Sequence, residues 1–389
     1  MFALQRLARL ERRLPPAREN MFTISGHVVD YNSLWGQRRT RKGPRTLLPS
    51  AGLRSAPALF ERSSHSWRRG RLVAVADAAR ESLQPSQLER TARSGRMEAV
   101  ERLRLLLQTP KLHLMPCCFD GLSAKMICSA AFPLSFMTGF GVAASFGLPD
   151  TGLLSFGEIR DRAASIMEVL PASYPVIGDG DTGYGNPVSV KRTVRGFALA
   201  GLAGILIEDQ VNPKRCGHTR GKAVVERSEA VQRWRAAIDA RNEFEDIVIV
   251  ARTDAIATHG LDEALWRLDK ALELGADVLF LEAPRSVADM ERFTKTFAGV
   301  PMLANMLENG MTPMLPAKTL ESMGYRIAAY PLTLLAASMK AMQAALSALQ
   351  SGDPEKVAPH LMDFEQVRDI VGFPWYDTEA ARYRTDPAD

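Results

Sequence analysis

From about residue 97 onward the chain repeats one pattern. A short, uninterrupted apolar run is followed by a turn and then by a longer stretch with apolar residues three and four apart. The runs cover residues 112–117, 133–139, 174–180, 204–209, 246–254, 277–283, 300–306 and 325–331. Unbroken runs, unlike alternating ones, are what strands of a parallel sheet covered on both faces require. Helical period marks the stretches between them, as at 189–202, 227–241, 261–274 and 287–298. Eight strands in strand–helix order predict a closed (β/α)8 TIM barrel, with an open doubly wound sheet as the alternative. Past the eighth run, residues 332–349 read as a helix rich in alanine, leucine and methionine, ended by Gly352 and Pro354. A further helix over 357–370 and a segment over 373–383 complete a C-terminal helical extension. So much apolar helix after a finished barrel predicts a covering surface on another subunit.

Residues 1–96 break the pattern. They hold nineteen basic side chains, all arginine except Lys42, against seven acidic ones. The remainder is net acidic, so the formal charge of +5 describes neither part. It does not imply nucleic-acid binding, and no DNA-reading motif follows the basic arm. Segments 36–50 and 63–71 show neither period, which predicts disorder, with short helices only at 3–13 and 73–80. Met97 opens MEAVERLRLLLQTPK, a natural start for a helix over 98–108. The favoured reading is an over-extended gene start, with residues 97–389 as the protein proper. A disordered tail comes second and a mitochondrial targeting segment third, since Glu11, Glu19 and Asp30 interrupt the basic stretch. No apolar run is long enough to cross a bilayer. Cysteines 117, 118, 128 and 216 fit no zinc spacing and read as reduced thiols of a cytoplasmic enzyme.

The candidate chemistry lies between residues 178 and 218. Asp179 and Asp181 follow one strand run, Glu208 ends the next, and Cys216 sits in a polar loop between Arg215 and Gly217. Hard oxygen ligands beside a thiol suggest a site for a divalent cation and an acidic substrate. Solvated strand-end carboxylates plus a loop cysteine are the plainer alternative. Thr138, Arg252, Asp254, Glu282 and Asn305 also fall at the C-terminal ends of their runs, the end that faces the active site of a barrel. Arg252 stands inside the run IVIVARTDA and must be matched by anions there. No GxGxxG or Walker lysine is present, so nucleotide binding has little support.

FDGLSAK, GLPDTG, DGDTGYGN, EDQVNPKRCGH, ARTDA, GLDEAL, GADVLFLEA and LANMLENG together resemble the isocitrate lyase and phosphoenolpyruvate mutase superfamily. The resemblance covers residues 97–389. Within it the chain looks most like the 2-methylisocitrate lyases and carboxyphosphonoenolpyruvate phosphonomutase; Phe140 stands where methylisocitrate lyases usually have glycine. The resemblance implies a barrel, dependence on Mg2+ with Mn2+ as a substitute, and homotetramers or homodimers in which eighth helices exchange. The implied substrate is a di- or tricarboxylate, with 2-methylisocitrate split to pyruvate and succinate. Asp179, Asp181 and Glu208 would hold the metal. Thr138, Gly139 and Phe140 would offer hydroxyl and backbone N–H groups to a substrate carboxylate, and Asp150 lies on a loop expected to close over the site. Arg252 would pair with a carboxylate, while Glu282 and Asn305 line a second carboxylate pocket. Cys216 would transfer the proton, its thiolate favoured by Lys214, Arg215 and His218, with Gly217 giving its loop freedom to close.

Overall fold

The computed structural model describes residues 85–384, with side chains from Gly95 onward, and two two-residue strands, Thr23–Ile24 and His27–Val28. Those two strands pair antiparallel, Thr23 opposite Val28. The helices expected at 3–13 and 73–80 lie outside the described residues.

All eight apolar runs form strands, the first shifted by one residue and the others trimmed by one to four. They are β1 His113–Cys118, β2 Ser135–Met137, β3 Val176–Asp179, β4 Gly204–Glu208, β5 Val248–Thr253, β6 Val278–Leu281, β7 Met302–Asn305 and β8 Ile327–Tyr330. Every pairing is parallel, and β8 pairs with both β7 and β1, so the barrel closes. The unbroken apolar character of the runs follows from this closure. One set of strand side chains, including Met115, Phe136, Ile177, Val248 and Ile327, fills the barrel interior. The other set, including Val176, Ile205, Ile249 and Leu279, packs outward against the helices. Trp234 illustrates the second layer: it is fully buried, and its indole N–H donates to Ile207 O.

Helix Leu261–Leu274 has the predicted bounds, and Arg227–Glu243, Val287–Thr296 and Thr333–Leu349 differ from theirs by two residues or fewer at each end. The helix expected over 357–370 is divided. Pro354–Val357 passes into a single 3-10 turn, the chain extends at Leu361, and a new helix capped by Asp363 runs Phe364–Val371. Asp363 accepts from Glu365 N, and this cap starts the new helix where the apolar period alone runs on. Phe373–Arg382 follows as a separate helix.

The first helix also departs from expectation. It runs Pro85–Gln108, so residue 97 lies inside it and not at its start. Ala99, Val100, Leu103 and Leu107 close the N-terminal end of the barrel core. Just ahead of residue 97, Arg96 ion-pairs with Glu245 and donates to Asp246 O at 2.6 Å, and Gly95 lies against Ala172. A chain started at Met97 is therefore expected to be less stable than one started at Pro85 by about 2 kcal/mol, the scale of a charged hydrogen-bonded contact. Urea unfolding of the two truncations measures the difference; equal midpoints and slopes would count against it.

Candidate active site

The C-terminal ends of the strands open into one pocket. Thr138, Phe140, Asp179, Cys216, Gly217, His218, Arg252, Glu282 and Asn305 all line it, together with apolar walls from Phe136, Leu206, Phe280, Leu303, Pro331 and Leu332. Three predicted residues sit one layer behind. Gly139 N donates to Asp179 Oδ2 at 3.2 Å, so it serves that carboxylate and not a substrate's, a correction to its expected role. Asp181 N donates to Asp179 Oδ1 at 3.2 Å, and Glu208 lies beneath Arg252. Thr138 lines the pocket while its hydroxyl also accepts from Gly141 N, capping the helix Gly139–Ser145.

Arg252 is the centre of the charge pattern. Its guanidinium reaches Glu208 Oε2 at 3.2 Å, Glu282 Oε2 at 3.2 Å and Asp254 through two bonds of 2.9 and 3.1 Å. Burial opposes its charge, but these carboxylates outweigh that and hold it firmly cationic. Glu282 shows the converse. Burial would raise its carboxyl, yet Arg252, His218 and Lys222 keep it well below the usual carboxylate range. His218 Nε2 lies 3.1 Å from Glu282 Oε1, and His218 Nδ1 accepts from Met311 N at 2.9 Å. A backbone N–H can only donate, so the ring proton is on Nε2 and faces Glu282. Asn305 Nδ2 contacts both Glu282 oxygens at 3.4 Å.

Cys216 sits on the loop that follows β4. The expected cationic cradle does not surround it. Lys214 turns away to pair with Asp150 and with Asp181 at 2.7 Å, the Arg215 backbone is held by Gln210, and His218 faces Glu282. Burial pushes the Cys216 thiol up from its ordinary value; the His218 N–H and Arg252 work against this, and the Asp150 and Glu282 charges add to it. Cys216 therefore rests as a thiol. Gly217 has a different reason from loop freedom: a Cβ there would lie 2.5 Å from Glu282 Cδ. Gly217→Ala is expected to displace Glu282 or the loop and to lower turnover at least tenfold with little loss of stability, the scale of a small misplacement in a site. Paired kinetics and thermal melts check this.

Asp179 and its neighbours carry more buried negative charge than the protein neutralises. Burial, then the repulsion of Asp181, raises Asp179 to about 6. Burial pushes Glu208 well above the usual range despite Arg252. Glu208 Oε1 is buried without a hydrogen-bond partner. Lys214 supplies one counter-charge: burial works against it, but Asp181 and Asp150 hold it protonated. Asp181 itself adopts a left-handed backbone, φ 48°, which aspartate tolerates better than most residues.

The family described as phosphoenolpyruvate phosphomutase matches residues 103–350. The chain belongs to the phosphoenolpyruvate mutase and isocitrate lyase superfamily. It is 42% identical to a 2,3-dimethylmalate lyase of Eubacterium barkeri over 71% of this chain and 95% of that one. A probable 2-methylisocitrate lyase of Corynebacterium glutamicum is 43% identical over 64% of this chain and 80% of that one. Among solved structures, oxaloacetate acetylhydrolase in complex with the inhibitor 3,3-difluorooxalacetate superposes with a TM-score of 0.69 at 35% identity, covering 73% of this chain and 97% of that one. A phosphonopyruvate hydrolase complex with oxalate and Mg++ gives 0.65 at 26% identity, with 73% and 99% covered. Relatives of this superfamily member are carbon–carbon lyases, and the chain is an enzyme of that class.

In this superfamily member no three His, Cys, Asp or Glu side chains among the described residues gather closely enough to hold a metal unaided. Lys214 pairs with Asp181, and Arg252 with Glu208. The surplus buried carboxylate oxygen, with Glu208 Oε1 unpartnered, nevertheless suits a hard cation that keeps several of its waters. Asp179, Asp181 and Glu208 are the residues that would hold it. Sequence reasoning missed the buried supports of the site. Lys222 bonds Asp254, and Asp209 receives Thr253 Oγ1 at 2.6 Å, Asp254 N at 2.9 Å and Arg267 at 3.2 Å. Asp209 adjoins Glu208 in the EDQ motif, which was its one visible signal. Cys117 also lines the pocket, and burial pushes its thiol far above the ordinary value.

Proposed function

We propose that the chain is a Mg2+-dependent lyase that splits the C2–C3 bond of a 2-hydroxy di- or tricarboxylate, with 2-methylisocitrate as the first substrate to test. The carrying observation is that Cys216, Asp179, Arg252 and Glu282 border a single pocket at the barrel mouth. Mg2+, with Mn2+ as a substitute, would stabilise charge on the substrate's 2-oxygen and adjoining carboxylate. Arg252, held cationic by its three carboxylates, is placed to pair with a substrate carboxylate and keep it oriented. The substrate hydroxyl gives up its proton to water or to an acidic residue of the site and becomes the ketone of pyruvate, while the electron pair of the broken bond passes to C3, beside a carboxylate. Cys216 delivers its Sγ proton to that carbon, which completes succinate. The apolar walls exclude water and lengthen the reach of each charge.

Incubation with 2-methylisocitrate and Mg2+ should release pyruvate and succinate, and chelation of the metal should abolish the release. Folded protein that yields neither product sinks this choice of substrate. A second reading is favoured by one observation: among the described residues Arg252 is the only lysine or arginine that lines the pocket, which Phe140, Pro331 and Leu332 also line. One cation and an apolar wall suit a methyl-bearing dicarboxylate such as 2,3-dimethylmalate, which would give pyruvate and propionate. Oxaloacetate and a carboxyphosphonoenolpyruvate-like phosphonate, the latter read by phosphorus NMR, complete the panel. The C-terminal helices expose Met342, Leu346, Phe364, Trp375 and Tyr376, each more than half accessible. We assign this apolar face to contact between copies of the chain, and light scattering should return a dimer or tetramer.

A further inference from the structure

We infer that Lys222 is a positioning residue whose buried ammonium ties the Cys216 loop to the Arg252 anchor. The inference rests on the roles proposed above for Cys216 and Arg252. The loop leaves β4 and returns antiparallel to its own start. Val211 N donates to Ala223 O and Val225 N to Asp209 O, with Gln210 bridged to Val224. Cys216 and Gly217 lie at the far part of this loop, away from that closed base. Lys222 reaches up from the base: its Nζ donates to Gly217 O and, at 2.7 Å, to Asp254 Oδ1.

The contact is built into the interior, since the Lys222 side chain is 2% exposed and that of Asp254 is fully buried. Carrying an ammonium there is costly, and an apolar side chain would meet the needs of packing alone. The same Asp254 carboxylate holds Arg252 through Nε and Nη2, and Asp209 fixes Asp254 from behind through its backbone N–H. Asp254 is thus the fixed end of the contact and Gly217 O the end that can move. One ammonium sets the distance between the peptide next to the thiol and the carboxylate that aims the guanidinium. Without it Asp254 keeps Arg252, but the loop loses its tie beside Cys216.

Lys222→Met keeps an apolar stem of similar length and removes the charge; Lys222→Arg returns a cation. In Lys222→Met, kcat for pyruvate release is expected to fall about 10²-fold with KM little changed, the scale of a misplaced catalytic group. Lys222→Arg should recover part of that loss. A second readout needs no substrate: alkylation of Cys216 by iodoacetamide, mapped to its own peptide, should quicken several-fold in Lys222→Met and return towards the wild-type rate in Lys222→Arg. If the wild type turns over no substrate in the panel, the lyase reading fails and alkylation alone still decides the case of Lys222. Should Lys222→Met not fold, Lys222→Leu, which likewise cannot donate to Gly217 O, carries the same two measurements. Wild-type alkylation in a folded Lys222→Met or Lys222→Leu protein overturns the inference.

Discussion

Cys216→Ser is expected to slow carbon–carbon cleavage by about 10²–10⁴, the contribution of one well-placed proton donor, while the melting temperature stays close to that of the wild type. The hydroxyl fits where the thiol sat, so neither the loop nor Glu282 has reason to move. What changes is the acid. Burial and the flanking carboxylates keep Cys216 protonated above the ordinary thiol value, so it is a donor at neutral pH. Cleavage uses the protonated form, so kcat should stay level through neutral pH and decline only above the unperturbed thiol value of about 8.5. The reverse condensation uses the thiolate and should rise over the same alkaline range. Serine stays protonated throughout and should lack that limb. A serine variant with wild-type kcat, or a wild-type cleavage rate that falls on approaching pH 7 from below, would remove Cys216 from the reaction.

Much of this arrangement was legible in the sequence because strands of a closed barrel leave an unmistakable apolar signature. The C-terminal strand ends then place Asp179, Glu208, Arg252, Glu282 and Asn305 at one face without further information. Partners contributed by separate loops were not legible. Lys214, Arg215 and His218 flank Cys216 in sequence, yet each is claimed by a contact from elsewhere: Lys214 by Asp150 and Asp181, the Arg215 backbone by Gln210, His218 by Glu282 and Met311. Adjacency along a loop says little about which way a long cationic side chain turns. Gly217 gave the same difficulty, because the need for glycine comes from Glu282 on another strand end. The first helix was misjudged for a different reason. A methionine followed by a strong apolar period looks like a start, but helix propagation needs only tolerable residues, and Pro85 already supplies one favoured at a first turn.

Replacing Arg252 tests the charge balance of the whole site and should be the most destabilising single change within it. Arg252→Leu leaves Glu208, Asp254 and Glu282 buried without their shared counter-ion, and breaking a buried pair of this kind costs about 3–5 kcal/mol. The guanidinium also lies 5.5 Å from the Phe280 ring centroid, so its plane packs as well as pairs. Activity should vanish, since among the described residues no other lysine or arginine lines the pocket to meet a substrate carboxylate. Arg252→Lys keeps the charge but cannot span three carboxylates at once, so it should recover most of the stability and little of the turnover. The pH dependence has a definite sign. Glu282 is held below the usual carboxylate range, so in the wild type its contribution is present above the unfolded value of about 4.3 and is lost as pH falls through the folded one. In Arg252→Leu the chief force holding Glu282 down is gone, so the carboxyl can take a proton and shed its burial penalty as the medium becomes acidic. The stability gap between wild type and variant should therefore narrow from pH 7 towards pH 5. Urea unfolding of both proteins at the two values measures it; a gap that stays constant or widens on acidification would mean that Glu282 is not governed by Arg252.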